Sequence, residues 1–152
     1  MVDLGEAKQY LGMHIKRDRD AHTIYLNQNR FITKILERFG MQDCIGISMP
    51  MEAATLPLCP TDPAEAIKPT EYQSKVGKVM YAMLATRPDL AFAFSALRKY
   101  ISCPITHHHS AMGRVLRYLQ ATKNTGILYK GESKVFAMPE PVCYTNSDWE
   151  GD

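Results

Sequence analysis

The sequence has no long apolar run, which excludes a membrane-spanning helix of the usual kind. No stretch approaches the roughly 18 apolar residues that such a helix needs. The first twenty residues carry Asp3, Glu6 and Asp18 where a secretory signal would have an apolar core. We therefore expect an intracellular protein without a membrane partner.

A large excess of charge and a cysteine framework are also missing. The 18 Lys and Arg residues are balanced by 16 Asp and Glu, so bulk charge alone does not argue for a polyanionic partner. The four cysteines are far apart and form neither a C-x-x-C pair nor a compact disulfide framework. We interpret them as reduced thiols. They are Cys44, Cys59, Cys103 and Cys143.

The sequence contains none of the common catalytic motifs. There is no G-x-x-x-x-G-K-[ST], G-x-G-x-x-G, H-E-x-x-H or G-x-S-x-G. His107, His108 and His109 are adjacent, but neighbours on a helix point about 100° apart and share one metal ion poorly. No metal site is therefore expected among these histidines.

The hydrophobic pattern of the 152 residues predicts one α+β domain with appendages. A β-hairpin is expected over 10–26 with a polar tip at 16–20, followed by a helix over 28–39 with Asn27 as its N-cap. A Pro-rich loop over 45–69 separates this part from three further helices, over 70–86, 88–104 and from 106. The end of the chain has short β-type runs at 127–129, 135–137 and 142–145. Since the last run stops close to Asp152, we expect the chain to be part of something longer.

The helix predicted from Thr70 carries the residues that suggest chemistry. Thr70 and Gln73 have the spacing of a capping box, and the apolar face is expected to contain Tyr72, Val76, Val79, Met80, Met83 and Leu84. Lys75 and Lys78 are three apart and lie close to Gln73, Gly77 and Tyr81. This pattern suits a helix in a nucleic-acid minor groove, with Gly for close approach and lysines for phosphates. It equally suits a bundle helix with a solvated lysine face, and the pattern alone favours that second interpretation.

Three acidic residues follow the last predicted strand, at Asp148, Glu150 and Asp152. Carboxylates at a strand end can hold Mg²⁺ for phosphodiester cleavage. A solvated acidic chain end is the alternative, and composition alone favours it.

Seven ordered segments together resemble the reverse transcriptase region of copia-type retrotransposon Pol polyproteins. They lie at residues 3–6 with 10–13, 35–41, 49–51, 72 with 76–81, 86–91, 114–119 and 144–152. The resemblance spans nearly the whole chain. It implies that the chain begins after the polymerase's Y-x-D-D turn and ends inside the first strand of an RNase H domain.

The resemblance implies three regions. Residues 1–27 would be a primer-grip-like hairpin at the end of the palm, and 28–125 a thumb-like helical region. Residues 126–152 would be the connection, with 126–138 as a tether, and the truncated start of RNase H. The implied partners are an RNA/DNA or DNA duplex and the remainder of a Pol polyprotein. The implied nucleic-acid-binding residues are Leu11, Gly12, Met13, His14, Gln73, Lys75, Gly77, Lys78 and Tyr81.

The chain departs from the family pattern at three positions. Asn146 stands at the family's first RNase H Asp, and a neutral amide is a poorer Mg²⁺ ligand than a carboxylate. Asp148 fits the second Asp, which is insufficient alone. His109 stands where the family often has Trp, and Gly113 where it often has Lys. We therefore expect no catalytic residues and no cofactor in this chain, with Mg²⁺ belonging to the intact parent enzyme. The alternative is a non-functional remnant or a host-adopted interaction module.

Overall fold

A computed structural model describes residues 5–51 and 69–131, in which one sheet packs beside a helical bundle. The strands are β1 (Gln9–Tyr10), β2 (Met13–Asp18), β3 (Thr23–Asn27) and β4 (Gly126–Lys130), and they form one antiparallel sheet in that order. The helices are α1 (Asn29–Arg38), α2 (Pro69–Ala85), α3 (Ala91–Arg98) and α4 (Thr106–Ala121), with a short 3₁₀ helix, Pro88–Leu90, before α3. The predicted α+β class is confirmed.

The N-terminal hairpin differs from the prediction in its turns. β2 runs through Asp18, so the tip lies at 19–22, and an additional turn at Leu11 and Gly12 separates β1 from β2. The N-cap of α1 is Gln28 instead of Asn27. The Asn27 Oδ1 nonetheless accepts a hydrogen bond from the backbone N–H of Asn29, at 3.3 Å.

Two predicted helix ends are wrong. α2 begins at Pro69, and the Gln73 Nε2 donates to the carbonyl of Ile101 (3.3 Å) instead of closing a capping box at Thr70. α3 ends at Arg98 instead of near Pro104. The backbone N–H groups of Tyr100 and Ile101 then bond three residues back, as in a turn.

Among the described residues, the main core lies between the helices. Each helix and the 3₁₀ turn contribute to it, and the fully or nearly fully buried side chains are Ile32, Ile35, Leu36, Tyr72, Val76, Val79, Ala82, Leu90, Ala93, Leu97, Met112, Val115, Leu116 and Leu119. The predicted apolar face of α2 is partly wrong, because Met80 and Leu84 are exposed while Lys75 is buried. The buried face is rotated toward positions 72, 75, 79 and 82, where α2 meets its helical neighbours.

β4 pairs with β3 along its whole length, from Thr23 opposite Lys130 to Asn27 opposite Gly126. Residues predicted to start a tether thus complete the sheet that begins with the N-terminal hairpin. The sequence predicts a strand here but not its partner. The runs predicted at 135–137 and 142–145, most of the Pro-rich loop, Cys59 and Cys143 lie outside the described residues. Cys44 is a free thiol, but Cys103 is disulfide-bonded, so the interpretation as a reduced thiol is wrong for Cys103.

A buried arginine joins the end of α2 to α4. The Arg87 side chain is 0% exposed and forms an ion pair with Asp89, with Nη2 2.7 Å from Oδ2. Its two Nη atoms also donate to the backbone oxygen and the hydroxyl of Thr122, at 3.1 and 2.7 Å. The Tyr118 hydroxyl donates to Asp89 at 2.7 Å. This network fixes the C-terminal end of α2 against α4.

Acid is expected to weaken the fold through Asp89. Burial raises the pKa of Asp89, but hydrogen bonds from Arg87 and Tyr118 and the Arg87 charge lower it by more, so the net pKa lies below 3.8. A group with a lowered folded pKa stabilises the fold above its unfolded pKa and loses that contribution as pH falls through the folded pKa. The stability gap between wild type and Asp89→Asn should therefore be largest near neutral pH and shrink below about pH 4. Urea denaturation of both proteins across this pH range measures the gap, and a gap independent of pH would contradict the expectation.

Candidate nucleic-acid interface

A strained two-residue turn forms one side of the candidate site. Leu11 and Gly12 connect the paired residues Tyr10 and Met13, and both have positive φ, 45° and 75°. Turns of this kind follow the twist of the flanking strands, and glycine is favoured in them because it has no Cβ to clash in the left-handed region. The turn presents main-chain groups at the end of the hairpin.

The exposed face of α2 forms the other side. Gln73, Gly77 and Tyr81 recur every fourth residue and are exposed, while Lys78 is half-buried beside them. The Tyr81 hydroxyl donates a hydrogen bond to the carbonyl oxygen of Leu11. Phe31 of α1 packs against the Tyr81 ring edge to face, with centroids 4.7 Å apart. Tyr81 therefore holds the hairpin turn against the helix.

A groove of about 550 Å³ lies between the turn and the helix. Its lining consists of Leu11, Gly12, Phe31, Gln73, Ser74, Gly77, Lys78 and Tyr81. Six of these eight are predicted nucleic-acid-binding residues, from segments about sixty residues apart in sequence. The sequence missed Phe31 and Ser74. Ser74 was detectable because it shares the helical face of Gly77, Lys78 and Tyr81 at spacings of three, four and seven. Phe31 matched only a core pattern.

The remaining three predicted residues do not line the groove. Met13 is half-buried and His14 is exposed, and the alternation of β2 directs them to opposite faces of the sheet. Lys75 is only 5% exposed, so the prediction that it shares an exposed face with Lys78 is wrong. A separation of three residues rotates about 300° around a helix, and the edge of the core falls between the two lysines.

The buried Lys75 ammonium is held by groups of the protein itself. Its Nζ lies 2.7 Å from Glu71 Oε1, 2.9 Å from His109 Nε2 and 5.2 Å from the Phe39 ring centroid. A hydrogen bond and the positive charge from Lys75 lower the pKa of Glu71, with a further hydrogen bond from His109. Lys75 thus anchors α2 to its neighbours and is not positioned to meet a phosphate.

Gly77 has no packing reason to be glycine within the part of the chain that the structure describes. A Cβ built there meets no atom within 4 Å. Glycine inside a helix nevertheless costs about 1 kcal/mol relative to alanine. Gly77 therefore lowers the stability of α2 at the position where the missing side chain leaves the surface of the groove flattest.

The charge of the described residues differs sharply from that of the whole chain. Residues 5–51 and 69–131 contain 16 Lys and Arg but 7 Asp and Glu, a net charge of +9, whereas the other residues contain 2 and 9, a net charge of −7. The balance of +2 over the whole sequence is the sum of these opposed parts. The basic side chains thus lie almost entirely within the described ranges, which suits a polyanionic partner for that part of the chain.

Some predictions meet no test in this structure. Asn146 and Asp148 lie outside the described residues. Within residues 5–51 and 69–131, no group of three or more His, Cys, Asp or Glu side chains is arranged to hold a metal ion. No helix in those ranges has the length and apolarity required to cross a bilayer.

Comparison with known proteins identifies relatives over nearly the whole chain. It is 35% identical over 159 residues to the retrovirus-related Pol polyprotein from transposon TNT 1-94 of Nicotiana tabacum, a match that covers 100% of the chain and 11% of the relative. It is 32% identical over 150 residues to that from transposon RE1 of Arabidopsis thaliana, covering 99% and 10%. The chain thus spans about a tenth of the length of these relatives.

A shorter relative is of a different kind. The secreted RxLR effector protein 161 of Plasmopara viticola is 42% identical over 88 residues, which cover 57% of the chain and 58% of the effector. No family model matches the chain. No solved structure matches it either.

Proposed function

Because the chain is homologous to part of the Pol polyproteins of copia-type retrotransposons, we propose that it binds a template-primer duplex in the groove between the hairpin turn and α2. The observation that carries the proposal is the convergence of Leu11, Gly12, Gln73, Gly77, Lys78 and Tyr81 on one groove. The family resemblance implies Leu11, Gly12, Gln73, Gly77 and Tyr81 as nucleic-acid contacts independently of where they lie in space. The spacing of the basic residues on α2 adds Lys78. The duplex would be an RNA/DNA hybrid or DNA.

The groove has the chemistry that a duplex edge requires. Gln73 supplies an amide for base edges or sugar oxygens, Lys78 a cation for a phosphate, and Tyr81 a ring for a sugar face. Because Gly77 has no side chain, the duplex can approach the backbone of α2 closely at this position. The turn at Gly12 presents main-chain groups to the primer strand, as a primer grip would. The 16 Lys and Arg side chains of the described residues add attraction that does not depend on base sequence.

The proposed activity is binding and positioning, without catalysis by this chain alone. Polymerisation needs carboxylates that hold two Mg²⁺ ions at the primer terminus, and the Y-x-D-D motif that supplies them in the family is not in this sequence. The reverse transcriptase, thumb and RNase H assignments are part of this proposal. In a longer Pol chain, the groove would hold the duplex while other segments perform the chemistry.

A second candidate function is supported by the effector relative. The match between this chain and more than half of a secreted effector favours a module that works outside a Pol polyprotein, through protein contacts made by the helical bundle. Such a module would not need duplex affinity. Binding that is absent, or insensitive to salt, in a folded chain would favour this candidate over the first.

The salt dependence of binding tests the duplex proposal. Lys78→Ala should lower the magnitude of the slope of log K against log salt by about 0.9, the value for one lost phosphate contact. Lys123→Ala, which removes a half-buried lysine outside the groove, is the matched control and should leave the slope unchanged. Fluorescence anisotropy with a labelled RNA/DNA hybrid and a DNA duplex measures both.

Lys75→Ala separates the two lysines that the sequence pattern places together. Since the Lys75 ammonium is buried and paired with Glu71, its loss should lower stability and leave the salt slope of the remaining folded protein unchanged.

Equal slopes for wild type and Lys78→Ala would argue against a phosphate contact at the groove.

A further inference from the structure

Two basic clefts lie on the sheet, one at the end opposite the Leu11–Gly12 turn and one that extends along β2 from His14 to Arg17. Their volumes are about 510 and 660 Å³, and both are lined by Arg17, Arg19 and Ile24. We call them the sheet-tip clefts. Five cations line them between them: Lys8, Lys16, Arg17, Arg19 and Lys130. None of these cations belongs to the groove.

The clefts contain two acidic residues against five cations, and one of the two is paired within the protein. Glu6 forms an ion pair with Arg19, at 2.7 Å, and Arg19 lowers the pKa of Glu6 by hydrogen bonding and by its charge. The Asp18 Oδ1 accepts a hydrogen bond from the backbone N–H of Ala21, at 2.9 Å. Asp20 is exposed in the same turn.

The other four cations of the clefts remain available to a ligand. In the described part of the chain, Lys8, Lys16, Arg17 and Lys130 have no carboxylate within ion-pair distance. Four exposed cations facing two open clefts suit an extended anion with several charges. A single small anion would leave most of them uncompensated.

β2 connects the groove to the far end of the sheet-tip clefts, and its length can be compared with the rise of a nucleic-acid duplex. This strand starts at Met13, next to the groove residue Gly12, and ends at Asp18 in a cleft wall. Five residue steps of about 3.4 Å separate the two ends by about 17 Å. Each nucleotide of one strand advances about 3.4 Å along the axis of a DNA duplex, so β2 laid along that axis spans about five base pairs.

We propose that the sheet-tip clefts bind the phosphate backbone of the nucleic acid held in the groove, within about five base pairs of the Leu11–Gly12 turn. This inference rests on the proposed duplex binding and extends its contact surface. Arg17 lies on the same sheet face as Met13 and Ile15 by strand alternation, and its guanidinium can contact two phosphate oxygens at once. The contact is independent of base sequence because only the backbone is read.

The test compares two double variants of the full chain. Lys8→Ala with Arg17→Ala removes two cations that line the same cleft, and Arg98→Ala with Lys123→Ala removes the same charge outside the clefts and the groove. Binding of a labelled duplex of about 20 base pairs is titrated with salt. The cleft variant should lose about 1.8 in the magnitude of the salt slope, two phosphate contacts at about 0.9 each, and the control should lose none.

The outcomes separate this proposal from the groove proposal. A cleft variant indistinguishable from its control overturns the cleft proposal, whatever Lys78→Ala does. A reduced slope in the cleft variant combined with an unchanged slope in Lys78→Ala supports the backbone contact at the clefts and contradicts the phosphate contact of Lys78. Polyglutamate serves as a competitor. If it displaces the duplex from wild type and from the cleft variant equally well, the clefts do not select a phosphate backbone and the proposal fails.

Discussion

Replacing Arg87 with alanine is expected to lower the free energy of unfolding by about 2–4 kcal/mol. The Arg87 guanidinium is fully buried and satisfied by Asp89 and Thr122. Its removal leaves the Asp89 carboxylate without its counter-charge, the Thr122 carbonyl oxygen without this donor, and a cavity between α2 and α4. Because the Asp89 side chain is 35% exposed and water screens its charge, most of the loss comes from the cavity and from the lost hydrogen bonds to Thr122. Urea denaturation followed by far-UV circular dichroism measures the loss.

Two further variants keep this expectation testable if Arg87→Ala does not fold. Arg87→Lys keeps the charge but loses the planar fork that reaches Asp89 and Thr122 together, so it should be destabilised and less severely than alanine. Arg98→Ala removes an exposed arginine of α3 and should change stability by less than about 0.5 kcal/mol. An Arg87→Lys protein as stable as wild type would show that the fork geometry does not matter.

Replacing Gly77 with alanine is expected to stabilise the chain and weaken duplex binding. Alanine removes the helix penalty of glycine, about 1 kcal/mol, and its Cβ meets no described atom within 4 Å. The same methyl group occupies the flattest part of the groove, where the duplex approaches the backbone. We expect the Kd for duplex to rise about tenfold, equivalent to about 1.4 kcal/mol. Opposite effects on stability and affinity are the signature of a residue retained for binding.

Gly113 provides the matched control for this variant. It also lies inside a helix and outside the groove, and a Cβ added to it meets no described atom within 4 Å. Gly113→Ala should therefore give the same stabilisation with unchanged duplex affinity. Thermal denaturation and fluorescence anisotropy on both variants decide the matter. Equal duplex affinities for Gly77→Ala, Gly113→Ala and wild type would contradict the proposal that the duplex closely approaches the backbone at Gly77.

The family and the helices could be predicted from the sequence because both depend on which residues occur at short spacings along the chain. The apolar spacing that predicted α1 is satisfied by burial of Ile32, Ile35 and Leu36. The segments that resemble copia-type Pol polyproteins correspond to homology over nearly the whole chain. The edges of the helix faces were not accessible. Met80 and Leu84 fit the apolar spacing as well as Val79 does, and only the position of the neighbouring helices decides which of them is buried.

The two lysines of α2 show the same division. The sequence places Lys75 and Lys78 three residues apart, whereas packing buries the first against Glu71 and His109 and leaves the second beside the groove. Lysine chemistry is identical at both positions. Burial alone separates a structural role from a proposed phosphate contact.

The sequence by itself determined the α+β composition, the order of most elements and the membership of Gln73, Gly77, Lys78 and Tyr81 in one helix, since periodicity and turn chemistry act over neighbouring residues. Only the tertiary structure decided that β4 closes the N-terminal sheet and that Tyr81 holds the Leu11 turn against α2. Those contacts join residues about 70 to 100 positions apart. They form because packing of the helical core brings β4 beside β3 and α2 beside the Leu11 turn. No pattern among neighbouring residues predicts these contacts.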